Sequence, residues 1–181
     1  GYARTLRFVE VNPGCRPKSL KPGENFIYLF WHSKIFSPLF VYRKANISLL
    51  TLLDFKNLVY NQICRFFGFQ TIPVRSRSAA TARLKELLEA GFLIALAADG
   101  PAGPQGGLKP GAFYLAQKTH RPIAAIRVEA KRSIRIRSRW DQLEIPMPFT
   151  RVTLTASDPI WVTEGNSDQA RRQVQEALGE P

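Results

Sequence analysis

FLIALAADGPAGPQGGLKPGAFYLAQKTHRPIAAIRV, residues 92–128, carries a strand, a glycine-rich loop, a helix and a second strand in one run. Phe92–Ala98 is short and apolar throughout, as a strand buried on both faces is. Asp99-Gly100-Pro101 ends it. Gly111–Thr119 has helical spacing, and Ile123–Val128 is again a short apolar run. Strand, crossover helix and strand make a parallel βαβ unit. The alternation continues upstream. Leu6–Val11 alternates as a strand, Asn25–Trp31 (NFIYLFW) and Ile47–Leu53 (ISLLTLL) read as buried strands, and Thr71–Val74 reads as another. Ile35–Tyr42 is apolar and aromatic, with Pro38 where a helix starts. Asn57–Phe67 has helical spacing, with Gly68 as its C-terminal cap. ATARLKELLEAG at 80–91 is a helix capped by Ser78 or Thr81, with Leu84, Leu87 and Leu88 on one face and Gly91 at its end. Downstream, Ile134–Ile136, Val152–Ala156 and Ile160–Val162 read as strands and Ser167–Leu178 as a polar helix.

The expected fold is therefore α/β: one layered domain whose mixed, largely parallel sheet is flanked by helices. The sheet is mixed where residues 123–162 offer no crossover helix. Residues 1–24 supply an N-terminal strand and loop, 25–163 the core, and 164–181 the C-terminal helix. The chain of 181 residues is long enough to bury a core, and its 45% hydrophobic content excludes a disordered protein. Cys15 and Cys64 are too few for a disulfide scaffold and lack partners at zinc spacing. No internal repeat is visible. There is no run of 18 apolar residues and no secretory signal. The first residue is Gly rather than Met, which leaves room for a membrane anchor before Gly1.

Lys and Arg number 26 against 14 Asp and Glu, a net charge of +12, so an anionic partner is expected: nucleic acid, an acidic membrane surface or a phosphorylated substrate. Nucleic acid fits least, because zinc-finger spacing, RNP-like aromatics and a helix-turn-helix are all missing. The densest basic stretch runs from Arg127 to Arg139. On a strand, Arg135, Arg137 and Arg139 share one face.

Ligands of such sheets collect beyond the carboxyl ends of the strands. His32, Asp54, Arg75 and Asp99 each follow an apolar strand. A histidine in that position suits a general base for a hydroxyl, with an ordinary loop histidine as the competing reading. Residues 98–111 hold five Gly and three Pro in 14 positions. Such a loop lets backbone N–H groups approach an anion or oxyanion, here around Asp99 and Gly100. It is neither a Walker loop nor a dinucleotide fingerprint. Arg75, Arg77 and Ser78 (in RSRS, 75–78) beside a helix start suit a phosphate, against the plainer reading of a charged turn.

WHS at 31–33, FGFQTIPVRSRS at 67–78, LAADGPAGP at 96–104, LKPGAFYLAQKTHRPIAAIRV at 108–128 and SRWDQLEIPMPFTRV at 138–152 together resemble the lysophospholipid acyltransferase superfamily, which includes glycerol-phosphate acyltransferases. The nearest resemblance is to a little-characterised bacterial branch with a DGPxGP loop followed by KPG. It covers roughly residues 25 to 163. The family carries a His-x4-Asp motif whose His deprotonates the acceptor hydroxyl and whose Asp orients the imidazole. His32 matches the His, and Ser37 stands at the Asp position. The second motif resembles Gly68 to Arg75. The third aligns with Asp99, Gly100, Pro101, Ala102 and Gly103, so that Ala102 stands where the family has a phosphate-binding Arg. The fourth resembles Arg121-Pro122-Ile123.

The resemblance implies transfer of a fatty acyl group from a thioester of CoA or acyl carrier protein to a hydroxyl of a lysophospholipid or related membrane lipid. His32 would be the base, with Asp99 and Gly100 shaping the catalytic site. Ser37, Asp54 or Asp99 would orient the ring. Arg75, Arg77, Ser78 and Lys109 would hold phosphate. No metal or bound redox cofactor is implied. The implied partners are an anionic membrane surface and a lipid acceptor, with an acyl carrier as donor, and the implied location is cytoplasmic and peripheral to the inner membrane. The rival reading is a non-catalytic lipid- or membrane-binding domain, for which Ser37 and Ala102 speak.

Overall fold

Ile27–Phe30 (β2) sits in the middle of the molecule, and its neighbours explain its unbroken apolar run. The computed structural model describes all residues except 1, 13–14, 16–19, 21–23, 44, 46, 53–61, 63, 75–76 and 101–102. β2 pairs in parallel with β5 (Leu93–Ala97) on one side and β6 (Ile123–Ala130) on the other. Side chains alternate across a strand. Ile27, Leu29 and Trp31 accordingly pack into one core layer, and Tyr28 and Phe30 into the layer on the opposite face.

The sheet has seven strands, ordered β1-β9-β6-β2-β5-β3-β4. β1 is Arg7–Val11, β3 Ile47–Leu52, β4 Gln70–Val74 and β9 Arg151–Ala156. Every pairing is parallel except β6 with β9. The reversal falls where the sequence lacks a crossover helix, as a right-handed parallel connection requires one. β7 (Ser133–Arg135) and β8 (Glu144–Pro146) form a separate antiparallel hairpin. The largely parallel, helix-flanked α/β sheet expected from sequence is the fold observed.

Among the described residues, the helices α1 (Phe36–Val41), α2 (Arg77–Glu89), α3 (Pro110–Thr119) and α4 (Ser167–Leu178) cover the sheet. Ile35, Leu39 and Val41 of the α1 region fill one layer; Leu84, Leu87 and Leu88 of α2, Phe113 and Leu115 of α3, and Val174 and Leu178 of α4 fill the other. No helix among the described residues is long and apolar enough to cross a membrane. Gly68 and Gly91 end helical turns at φ of 83° and 85°. In both, the glycine N–H bonds three residues back and the next N–H five back (Gly68 to Arg65 and Phe69 to Cys64; Gly91 to Leu88 and Phe92 to Leu87). That is the paired cap for which glycine's left-handed freedom is suited.

Three local expectations change. α2 begins at Arg77, so Ser78 and Thr81 lie inside it and neither caps it; Ala79 and Ala80, the strongest helix formers, extend it toward β4. Ile160–Val162 reduces to one bridge, Ile160 with Ile123, because Pro159 has no N–H to continue a ladder. β7 stops at Arg135, so Arg137 and Arg139 do not share its face. Of the predicted helix at 57–67, positions 62 and 64–66 are helical, Phe67 is in the turn that follows, and the others lie outside the described residues.

Leu88 is fully buried between α2 and the sheet. Leu88→Ala should cost about 2–5 kcal/mol, read as a lower urea midpoint with an unchanged slope.

Candidate active site

The register of β2 against β5 builds the site. Phe30 faces Ala97, and Ala98 N–H bonds the Phe30 carbonyl at 2.8 Å. Two residues on from each pair, His32 and Asp99 therefore leave adjacent strands side by side. His32 backbone N–H donates to Asp99 Oδ1 at 3.1 Å. Asp99 is completely buried, and its Oδ2 has no partner among the described residues. Burial pushes its carboxyl up, against backbone N–H groups, His32's first, that pull it down.

The ring of His32 meets a different carboxylate. Nδ1 lies 2.7 Å from Asp141 Oδ2. Asp141 is also wholly buried, whereas the imidazole keeps a solvent-facing edge at 23% exposure. Burial raises the carboxyl, but hydrogen bonds from Arg139 and then His32 outweigh it and hold Asp141 at about 2. Arg139 grips it with two parallel bonds, Nε to Oδ1 and Nη2 to Oδ2, each 2.8 Å. A bidentate guanidinium fixes a carboxylate in plane as well as in charge. With Asp141 ionised, a neutral His32 donates from Nδ1 and leaves Nε2 as the acceptor.

Asp141 arrives on the turn between β7 and β8, closed by Ile136 N–H to the Leu143 carbonyl at 3.0 Å and Gln142 N–H to the Arg139 carbonyl at 3.1 Å. A second carboxylate fastens the same hairpin. Glu144 Oε2 takes Lys34 Nζ at 2.6 Å and Arg135 Nε at 3.2 Å. Lys34 and Glu144 are both buried, so breaking this pair would strand a charge. His32 and Lys34, in a 3-10 turn, thus receive Asp141 and Glu144 from one hairpin.

The glycine-rich loop clasps that hairpin turn from the other side. Gln105 Nε2 donates to the Asp141 carbonyl at 3.2 Å. Trp140 stacks at a tilt on His32, with ring centroids 5.1 Å apart. Gly103 makes room for the indole: at φ of 68°, a Cβ there would lie 2.6 Å from Trp140 Cε3. Gly100 N–H donates to the Ala97 carbonyl at 3.1 Å, inside its own turn, and so is not a free oxyanion donor in this structure. Lys109 N–H bonds the Ala98 carbonyl at 2.8 Å, and the Lys109 stem packs beside Gly100.

A solved structure shares this fold. The 1-acyl-sn-glycerophosphate (LPA) acyltransferase PlsC from Thermotoga maritima matches with a TM-score of 0.65, covering 96% of this chain and 71% of its own, at 16% sequence identity. At that identity the likeness is one of fold. No protein-family model and no curated protein matches the sequence.

Of the residues singled out from sequence, His32, Asp99, Gly100 and Lys109 gather at the ends of β2 and β5. The carboxylate on the imidazole is Asp141; Asp99 holds the backbone of His32 and not its ring. Ser37 is buried in α1, and the bond to Nδ1 is not its own. Asp54 and Arg75 lie outside the described residues. Arg77 and Ser78 form the first turn of α2. Asp141, Arg139, Trp140, Lys34 and Glu144 were not foreseen as site residues. Their one sequence signal was the SRWDQLE stretch, in which Asp141 and Glu144 stand three apart after a basic run.

Asp141 makes a signed prediction for acid stability. Its carboxyl falls from 3.8 to about 2 on folding. The folded state therefore binds this proton less tightly, and the stabilisation is complete above about pH 4 and lost as pH falls through 2. Asp141→Asn should be less stable than the parent at pH 7, and thermal melts should show the difference narrowing between pH 4 and 2. A difference that stays constant over that range would mean that the carboxylate is not held as described.

Proposed function

We propose that the protein is an acyltransferase that moves a fatty acyl group from a thioester of CoA or acyl carrier protein to a hydroxyl of a lysophospholipid or related membrane lipid. The observation that carries this reading is the 2.7 Å contact between His32 Nδ1 and the buried Asp141 carboxylate, with the imidazole edge open to solvent. A histidine so held is set to take a proton at Nε2. The fold adds support, since the solved protein that shares it is described as a 1-acyl-sn-glycerophosphate acyltransferase. The sequence resemblance points to the same chemistry.

In this reading His32 Nε2 takes the acceptor's hydroxyl proton as that oxygen attacks the thioester carbonyl carbon. A C–O bond forms, the tetrahedral oxyanion collapses, and the C–S bond breaks. The thiolate leaves with the proton returned from the imidazolium. Asp141 keeps the tautomer and stabilises the transient cation, and Asp99 positions the strand exit. Lys109, Arg75 and Arg77 are proposed for the phosphate of donor or acceptor. The rival reading of a non-catalytic binding domain drew on Ser37 at the place of the family's Asp; Asp141 offers the ring a carboxylate from elsewhere in the chain.

Acyl transfer from a radiolabelled thioester to a lysophospholipid tests the reading. His32→Ala should lower turnover by roughly 10²–10⁴ while the circular dichroism spectrum stays that of the folded parent. Asp141→Asn should cost roughly a thousandfold or more in kcat, because the wrong tautomer faces the acceptor. A folded His32→Ala protein that turns over like the parent would refute the mechanism. A parent that transfers from neither thioester would favour the binding-domain reading.

Ser37→Asp separates the two sources of a carboxylate. Ser37 is only 2% exposed and the ring is already engaged, so the added charge should destabilise without raising the rate. A clear gain in kcat would mean that Asp141 is not the working partner.

A further inference from the structure

Along the chain from Trp31 to Tyr42, His32, Phe36 and Phe40 are half-buried and every other residue is buried. These three stand at i, i+4 and i+8 of a nearly continuous helical stretch, His32–Lys34 followed by α1, and so share one face. The proposed base is therefore on the same outward line as two phenylalanines. Other aromatic rings prolong that line. Phe36 and Phe40 are 4.9 Å apart, and Tyr2 lies over both at 5.7 and 6.5 Å. Phe40 meets Phe67 at 4.9 Å, and Phe67 meets Phe66 at 5.6 Å. Phe66 is 87% exposed.

The charge beside this ridge has one sign. Arg4, Arg43 and Arg65 are exposed next to it in the chain, and Arg4 and Arg43 meet no carboxylate among the described residues. In sequence, residues 1–9, 25–53 and 62–85, on either side of the ridge residues, contain no Asp or Glu. By contrast, the basic stretch at the β7–β8 hairpin is partly spent inside the protein: Arg135 on Glu144 and Arg139 on Asp141. A row of half-buried rings that ends on the exposed Phe66, with arginines around it, matches the interface of an anionic bilayer, where rings settle among headgroups and basic side chains meet the negative surface potential.

We propose that the ridge of Tyr2, Phe36, Phe40, Phe67 and Phe66, with Arg4, Arg43 and Arg65, docks on an anionic phospholipid surface and sets His32 facing the bilayer it draws its acceptor from. The purpose of the docking rests on the acyl-transfer reading; the docking itself is measured without it. Since His32, Phe36 and Phe40 share one helical line, seating the phenylalanines presents the imidazole to the headgroup layer. A lipid hydroxyl reaches the base without leaving the membrane.

Co-sedimentation with vesicles, no acyl donor present, is the test. The parent should pellet with vesicles of equal parts phosphatidylcholine and phosphatidylglycerol at low salt, and less with phosphatidylcholine alone or at high salt. Phe66→Glu and Arg43→Glu are surface changes away from the catalytic groups and should keep the parent's melt. Each should weaken vesicle binding by roughly tenfold. Arg137→Glu, exposed on the hairpin, should bind within about twofold of the parent. Parent-like binding by Phe66→Glu and Arg43→Glu, or an equal loss in Arg137→Glu, would overturn the proposal. So would a parent that ignores vesicles but captures an acidic acyl carrier protein through Phe66 and Arg43, which would make the ridge a protein-docking face. Loss of acyl transfer in the parent with vesicle binding intact would count against the enzymatic reading and leave the ridge standing.

Discussion

Asp141, wholly buried between His32 and Arg139, is the contact on which the rest of the site depends. A lone carboxylate in that place would be costly to ionise. Two hydrogen bonds from one guanidinium and one from the imidazole reverse that cost and hold the group charged. The consequence runs outward from there. An ionised Asp141 fixes the His32 tautomer, and a fixed tautomer leaves Nε2 as the proton acceptor of the ring. Asp99 does the complementary task on the backbone, pinning the exit of β2 against the exit of β5.

The hairpin that carries Asp141 needs its own supports, and the chain provides them from three directions. Lys34 and Arg135 converge on Glu144. The 103–105 stretch of the glycine-rich loop receives Trp140 and bonds the Asp141 carbonyl. Tyr2 donates its hydroxyl to the Pro146 carbonyl at the far end of β8. The loop thus acts as a seat for the hairpin turn, with glycine at 103 because an indole occupies the space of a side chain. Gly103 and Gln105 of the loop and Trp140 and Asp141 of the turn are thus each other's packing partners.

The positive charge divides between structure and surface. Arg139 and Lys34 hold carboxylates in the site, and Arg127 bonds the Ala177 and Glu176 carbonyls at the end of α4. These guanidinium and ammonium groups are spent on architecture. Arg4, Arg43 and Arg65 stay on the outside, beside the aromatic ridge that continues the line of His32. The net charge alone pointed to an anionic partner; the internal pairings narrow which cations remain to meet one.

The sequence by itself determined the layers. Short apolar runs such as NFIYLFW and FLIALAA are legible because a strand buried on both faces must be apolar at every position, and glycines at 68 and 91 mark helix ends because the left-handed cap conformation favours them. His32 and Asp99 were legible for the same reason, each being the first polar group after such a strand. The hairpin strand Glu144–Pro146 was not, since three residues with one apolar side chain give no period. Nor was Asp141: it is 109 positions from His32, and no local pattern distinguishes it from a surface carboxylate beside a basic run. Only the tertiary structure decided that partner. A hydrogen bond of 2.7 Å depends on where β6, β7 and the loop after β5 deliver their ends in space, a property of strand register and packing that spacing along the chain does not encode.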